Sequence, residues 1–361
     1  MLGRNVLEKN VWVTIHPEHC ARYQHKSSTC TACLNLCSSG AITLFQNHPY
    51  YDATLCLKCG ACYASCPLDA IEIHQTQSDK ELFKEIVLKA DLDEKITFTC
   101  KQVDAKNKGV IFTGCLAKLD PSILLFALEK GVSDITLNAG ICDECLSPNI
   151  LPRIHKMVEQ TAECLDLFGI VASLSVESLK NSSPKLFEEN TYLSCNGHSR
   201  RRFFLKFMSK KNNEPSVEDT TMIHLETTKN STKMYTPEKH RRFIHALQSL
   251  SKKVPSIGEV SSLCLSPHID ATQCSGCTIC TNVCPTGALQ AHTNEETLKI
   301  TCTGSSCVGC HLCVDVCFKK AMTLSPCNTM NVTLYECQKN EIVFSPAEKM
   351  SELFGATIYK T

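Results

Sequence analysis

Four short cysteine runs hold sixteen of the chain's 26 cysteines. The second run is Cys56-x2-Cys59-x2-Cys62-x3-Cys66, followed by Pro67, and the third is Cys274-x2-Cys277-x2-Cys280-x3-Cys284, followed by Pro285. The fourth, Cys307-x2-Cys310-x2-Cys313-x3-Cys317, lacks only the proline. The first is looser: Cys20-x9-Cys30-x2-Cys33-x3-Cys37, followed by Ser38. Thiolates separated by two residues can wrap three corners of an iron-sulfur cube while the intervening amides face its sulfides. After a gap of three the chain has turned away, so the fourth corner must come from elsewhere. Zinc is the competing chemistry, since C-x2-C pairs also build tetrahedral sites, but such sites seldom take a third cysteine at x2 and a fourth at x3. In the first run the nine-residue gap leaves His19 or His25 as alternatives to Cys20, or a cluster short of one corner.

The second and third runs match the bacterial ferredoxin pattern in full, and the four runs resemble the two-cluster ferredoxin family, in which runs cross-ligate in pairs. The resemblance implies four [4Fe-4S] clusters. Cluster I would take Cys20, Cys30, Cys33 and Cys66, and cluster II would take Cys56, Cys59, Cys62 and Cys37. Cluster III would take Cys274, Cys277, Cys280 and Cys317, and cluster IV would take Cys307, Cys310, Cys313 and Cys284. A shared signature follows each run: Ala41-Ile42 after Cys37, Ala70-Ile71 after Cys66, Ala288-Leu289 after Cys284 and Ala321-Met322 after Cys317. This internal repeat suits a turn into a short strand beside the cluster, such as Ala70–His74. His311 and Lys58, next to Cys310 and Cys59, are solvated rim residues or charges that shift a potential.

The elements that must hold these runs divide the chain. Residues 94–175 alternate strand and helix: strands at Lys95–Thr99, Gly109–Gly114 and Ser133–Asn138, a helix capped by Asp120 with Pro121 at its first position, and another from about Pro152 to Leu167. That order implies a small parallel sheet, with functional groups just past the carboxyl ends of its strands. Cys100, Cys115, Cys142 and Cys145 fall there and either hold a further [2Fe-2S] cluster or are ordinary buried thiols. The stretches Gly114–Pro121 and Ile141–Asn149 resemble the iron-sulfur subunit linking hydrogenase or formate dehydrogenase to heterodisulfide reductase, and that resemblance implies a [2Fe-2S] cluster on these four cysteines. Cys164 lies within a helical pattern and reads as core.

The predicted class is α+β, with ferredoxin-like 2x[4Fe-4S] modules at residues 1–78 and 263–330 flanking a small α/β domain with a parallel sheet at 94–175. Residues 176–262 form a polar and basic connector and 331–361 a tail. In the connector, Arg201–Lys206 follows the twin-arginine order, but its internal position rejects a targeting role. His240–Leu247 reads as a basic amphipathic helix, either a docking face for an acidic redox partner or a solvated surface.

Lys plus Arg and Asp plus Glu both total 37, so bulk charge favours neither nucleic acid nor an anionic membrane. No run approaches the roughly 20 apolar residues that span a bilayer, and the chain reads as cytoplasmic. No dinucleotide fingerprint, P-loop lysine or paired catalytic carboxylate points to a small-molecule substrate. The expectation is an electron-transfer protein serving redox protein partners in a larger oxidoreductase complex of formate dehydrogenase, hydrogenase or heterodisulfide-reductase type. The alternatives are a reductase using Cys142-x2-Cys145, and a redox sensor or assembly factor.

Overall fold

A computed structural model of the protein describes residues 12–74, 79–100, 109–140, 142, 145, 150–178, 234–251, 261–293, 298–327, 330–331, 336–337 and 340–344. The Arg201–Lys206 motif and Cys195 lie outside the described residues.

The N-terminal module opens with strand β1 (Val13–Ile15), short helices α1 (Ala21–Gln24) and α2 (Ala32–Asn35), hairpin strands β2 (Ile42–Phe45) and β3 (His48–Tyr51), helix α3 (Ala61–Ser65) and strand β4 (Ile71–Ile73). The hairpin turns on Gln46 and Asn47, both at positive φ, as a two-residue turn between twisted strands requires. β1 and β4 pair antiparallel, with Val13 opposite Ile73 and Ile15 opposite Ile71.

Helix α4 (Asp79–Ala90) leads into the middle region: β5 (Lys95–Cys100), β6 (Val110–Thr113), a 3-10 turn at Leu116–Lys118, α5 (Pro121–Glu129), β7 (Asp134–Gly140), α6 (Ile150–Leu167) and β8 (Ser173–Ser178). The four strands form a parallel sheet in the order β6-β5-β7-β8, as strand-helix alternation predicts. Asp120 caps α5 by accepting from the Ser122 amide at 2.8 Å, with Pro121 at the first helical position. The helix is apolar almost all round and is covered on more than one side: Ile123, Leu124, Leu125 and Ala127 are fully buried. α6 instead carries one apolar stripe, Ile150, Ile154, Met157, Thr161, Cys164 and Leu165, at helical spacing.

Helix α7 (Glu238–Leu250) corrects the reading of residues 176–262 as a connector throughout. It packs on α5 and buries Phe243, Ile244, Ala246 and Leu247 in the middle-region core. Its basic residues mostly face inward. Arg242 pairs with Asp120 at 3.7 Å, donates to Ser122 Oγ at 2.9 Å and lies over the Phe83 ring at 4.6 Å. His240 Nε2 lies 2.7 Å from the Ser305 carbonyl oxygen, and Lys239 reaches the N-terminal module. The predicted docking face is therefore a clamp, and only Arg241 and His245 among its basic residues are exposed.

The C-terminal module repeats the first. Strand β9 (Ser261–Ile269) pairs antiparallel with β12 (Met322–Cys327), β10 (Leu289–Thr293) pairs with β11 (Leu298–Cys302), and short helices α8 (Ile279–Asn282) and α9 (Leu312–Val316) lie within the cysteine runs and carry Cys280 and Cys313. The stretch read as a tail supplies a third strand to this sheet, residues Asn340–Phe344 against β11.

The repeated alanine has one structural job four times over. The carbonyls of Ala41, Ala70, Ala288 and Ala321 accept from the amides of Asp52, His16, Thr303 and Asp270 at 2.8, 2.7, 2.7 and 2.8 Å. All four alanines are at most 2% exposed, so each sits at a covered strand junction with no room for a larger side chain. Replacing Ala70 with leucine is expected to destabilise the N-terminal module by about 1–3 kcal/mol through overpacking, read as a lower urea midpoint; an unchanged midpoint would refute this role.

The two modules also touch each other. Ala21 and Leu68 of the first share a buried cluster with Leu312 and Val316 of the second, and Cys30, Cys66 and Cys310 pack against it. Burying each of the larger side chains contributes roughly 1.5–3 kcal/mol. At the same junction Asp315 accepts from the Thr29 amide at 2.7 Å and from its hydroxyl at 2.8 Å.

Candidate iron-sulfur centres

Each cysteine run is shaped by left-handed backbone. In the second, third and fourth runs the residues on both sides of the middle cysteine have positive φ: Lys58 and Gly60, Gly276 and Thr278, Gly309 and His311. Such residues turn successive amides toward one side and form an anion-receiving concavity. The Lys58 amide donates to Cys56 Sγ at 3.3 Å and the Gly276 amide to Cys274 Sγ at 3.4 Å. Gly60 has a second reason to be glycine, because an added Cβ would lie 3.1 Å from Lys118 Cβ. All four runs then end alike. Three residues past the last cysteine, Gly40, Asp69, Gly287 and Lys320 are all left-handed, and the buried alanine follows. The Ala70 amide donates to Cys66 Sγ at 3.3 Å. The hydroxyls of Ser39 and Thr286 lie 3.7 Å from the sulfurs of Cys37 and Cys284.

These turns bring cysteines together across runs. One cavity, with about 350 Å³ of atom-free space partly open to solvent, is lined by Cys274, Cys277, Cys280 and Cys317. A second, of about 320 Å³, is lined by Cys307, Cys310, Cys313 and Cys284. In each, three thiols come from one run and the fourth from the other, and the donor set suits a thiolate-bound cubane.

In the N-terminal module the thiols beside Cys20, Cys33 and Cys62 fall mostly in the expected sets, with Cys62 also acting on Cys33. Burial pushes the Cys33 thiol up to about 12, and Cys66, Cys30 and Cys20 add to it. Burial likewise pushes Cys62 up to about 12, with Cys59, Cys56 and Cys37 beside it. Cys20 is raised by burial, partly offset by the Arg22 and Tyr23 amides, and raised further by Cys66 and Cys30. The histidines of the long gap are engaged elsewhere: His19 stacks on Tyr235 with centroids 3.9 Å apart, and His25 Nδ1 accepts from the Ser27 amide at 3.1 Å. Among the described residues no group of three or more His, Cys, Asp or Glu side chains is placed to hold a single metal ion.

In the middle region Cys100, Cys115 and Cys142 gather at the carboxyl ends of β5, β6 and β7. Burial raises the Cys115 thiol strongly, and its neighbours Cys59, Cys100 and Cys142 raise it further. Cys145 is half-buried, its amide donating to the Cys142 carbonyl at 3.4 Å. Two cations approach, Lys118 buried and Arg153 half-buried. Lys118 pairs with Asp79 at 3.0 Å, and Arg153 donates to the carbonyls of Ala117 at 2.7 Å and Leu119 at 3.5 Å. Burial lowers the Arg153 pKa, with Asp120 and the Cys59, Cys115 and Cys62 sulfurs opposing.

Cys164 is fully buried in α6, as its helical position predicted. Cys302 lies outside the four runs, isolated in sequence. It is fully buried on β11 between the two C-terminal quartets, and burial, then Cys280, Cys307 and Cys284, push it up to about 12. The alternation Leu298-Lys-Ile-Thr-Cys302 is the signal that points it inward. The side chains of Cys264, Cys327 and Cys337 lie outside the described residues.

Thiols brought together across tandem runs, as in the two C-terminal cavities, are what a ferredoxin-type module presents to cubane clusters. The family comparison bears on the same segments: residues 49–72 match the 4Fe-4S binding domain and residues 268–321 match the 4Fe-4S dicluster domain. The chain thus carries 4Fe-4S ferredoxin-type domains toward both ends, and these point to iron-sulfur electron transfer. Neither match reaches residues 94–175, and the likeness of that region to the subunit linking hydrogenase or formate dehydrogenase to heterodisulfide reductase finds no support. No curated protein and no solved structure matches the chain. No described helix is long and apolar enough to cross a membrane.

Proposed function

We propose that the protein is an electron carrier in which four [4Fe-4S] clusters, one per crossed quartet, form a single relay inside a larger oxidoreductase complex. The clusters would supply one-electron uptake and release with little rearrangement. The chain's own residues supply the thiolates, orient amides at them and limit solvent access. The observation that carries this reading is the pair of C-terminal cavities, each lined by three cysteines of one run and one of the other. The order along the relay is the Cys56 quartet, the Cys20 quartet, the Cys307 quartet and the Cys274 quartet. It is supported by the shared core at the junction and by the Cys30 thiol acting on Cys310, whose pKa is pushed up to about 12 by burial, then by Cys284, Cys307 and Cys30.

Anaerobic iron and acid-labile sulfide analysis of the native protein is expected to give about 16 irons per chain, four per cubane. EPR of the reduced protein is expected to show interacting [4Fe-4S]⁺ signals. An iron-free, zinc-filled preparation from anaerobic cells would sink the proposal.

The proximity of Cys115 to Cys100, Cys142 and Cys59 favours a second reading, in which Cys100, Cys115, Cys142 and Cys145 hold a [2Fe-2S] centre fed by the Cys56 quartet. About two further irons, lost when Cys115 is replaced by alanine while the [4Fe-4S] signals persist, is the expected result.

A further inference from the structure

Two cationic side chains reach the first quartet from outside it. Arg22 sits in the nine-residue gap that makes the first run irregular, and it is 7% exposed. Its Nε donates to the Cys30 carbonyl, and its Nη1 donates to the carbonyl and side-chain oxygens of Asn47, the former at 3.4 Å. Among the described residues no carboxylate pairs with Arg22. Lys239, carried by α7, donates to the carbonyls of Tyr63 and Cys66, the latter at 2.9 Å, and pairs with Asp69 at 3.0 Å. Two ligand positions of one quartet, Cys30 and Cys66, thus each have a cation on their carbonyl; Asp69 pairs with Lys239, and Asp315 accepts from Thr29 beside Cys30.

The quartet across the junction is reached instead by an imidazole, His240, whose Nε2 lies 2.7 Å from the Ser305 carbonyl oxygen, two residues before Cys307. Among the described residues the buried charged side chains are Arg22, Lys118 and Asp120, none of them in the C-terminal module, where the buried polar side chains are Ser266, Ser275 and Ser305. Reduction adds a negative charge to a cubane, and a cation held nearby away from water favours that form.

We infer that Arg22 and Lys239 hold the cluster on Cys20, Cys30, Cys33 and Cys66 at a higher reduction potential than the cluster it faces on Cys307, Cys310, Cys313 and Cys284, so that electrons cross the junction from the C-terminal to the N-terminal module. One electron leaves the fourth-quartet cluster and enters the first-quartet cluster, with no bond made or broken. A redox partner protein re-reduces the C-terminal module. Arg22 and Lys239 are positioning residues, acting through the ligands. The inference rests on the reading that these quartets hold [4Fe-4S] clusters.

The test is an anaerobic EPR-monitored redox titration of the full chain beside Arg22→Gln, Arg22→Lys and Lys239→Gln. Removing either charge is expected to change the oxidised-to-reduced ratio of one cluster about tenfold, a fall of about 59 mV in its midpoint. The same midpoint is expected to move in Arg22→Gln and Lys239→Gln, with iron content unchanged, and Arg22→Lys is expected to retain most of the wild-type value. Full iron content with every midpoint in place, or different midpoints moving in the two variants, would overturn the inference. If Arg22→Gln fails to take up iron, the midpoints of Lys239→Gln and Arg22→Lys decide by the same criteria. Absence of iron from the wild-type chain would instead refute the four-cluster reading itself.

Discussion

Replacing Cys317 with alanine is expected to remove the centre built on Cys274, Cys277 and Cys280 and to spare the one built on its own run. Cys317 follows Cys313 by four positions in sequence, yet it lines the cavity of the other run. The variant should lose about four irons, and its EPR spectrum should match that of Cys277→Ala rather than that of Cys310→Ala. The reciprocal variant, Cys284→Ala, should match Cys310→Ala. If Cys317→Ala and Cys310→Ala instead give one spectrum, each run closes on its own cluster and the crossed arrangement is wrong.

Asp120 is the residue whose loss should most weaken the scaffold. It is 4% exposed, caps α5 through the Ser122 amide at 2.8 Å and faces Arg242 of α7 at 3.7 Å. Alanine removes the cap, costing about 1 kcal/mol, and leaves the largely covered Arg242 guanidinium without its carboxylate, costing up to about 3–5 kcal/mol. Urea unfolding of Asp120→Ala is expected to show a loss within the combined range, and Asp120→Asn should recover only the capping part. A loss near 1 kcal/mol for alanine would mean that the Arg242 pair contributes little and that apolar packing alone holds α7.

Much of this was legible in the residues. The helix after Asp120-Pro121 runs Pro121–Glu129 because cap, first-turn proline and apolar composition agree. The strands at Lys95, Val110 and Asp134 stand where β-branched and apolar residues cluster, and their cysteines fall at the carboxyl ends, as a parallel sheet dictates. The repeat after each run was visible as Ala-aliphatic pairs, though its cause, a shared carbonyl acceptor behind a left-handed residue, was not. Lys58, Asp69, Thr278, His311 and Lys320 take positive φ without being glycine, so composition does not mark them. The role of α7 was misread for a different reason. Its basic pattern suggested a surface, but the acids that neutralise it, Asp69 and Asp120, are far away in sequence and only the fold brings them near. The Arg22 contact was hidden likewise, since the nine-residue gap that seemed to weaken the first run is what carries it.

The junction between modules also governs the order in which the molecule can be made. Thr29 and Asp315 meet across 286 positions, whereas each module closes over fewer than about 90 residues. Contacts of such separation form late, because a long loop must be closed before they contribute. In synthesis order the cysteines of the first two runs are therefore made well before those of the last two. On the proposed relay, the two modules would conduct to one another only once this late contact has formed.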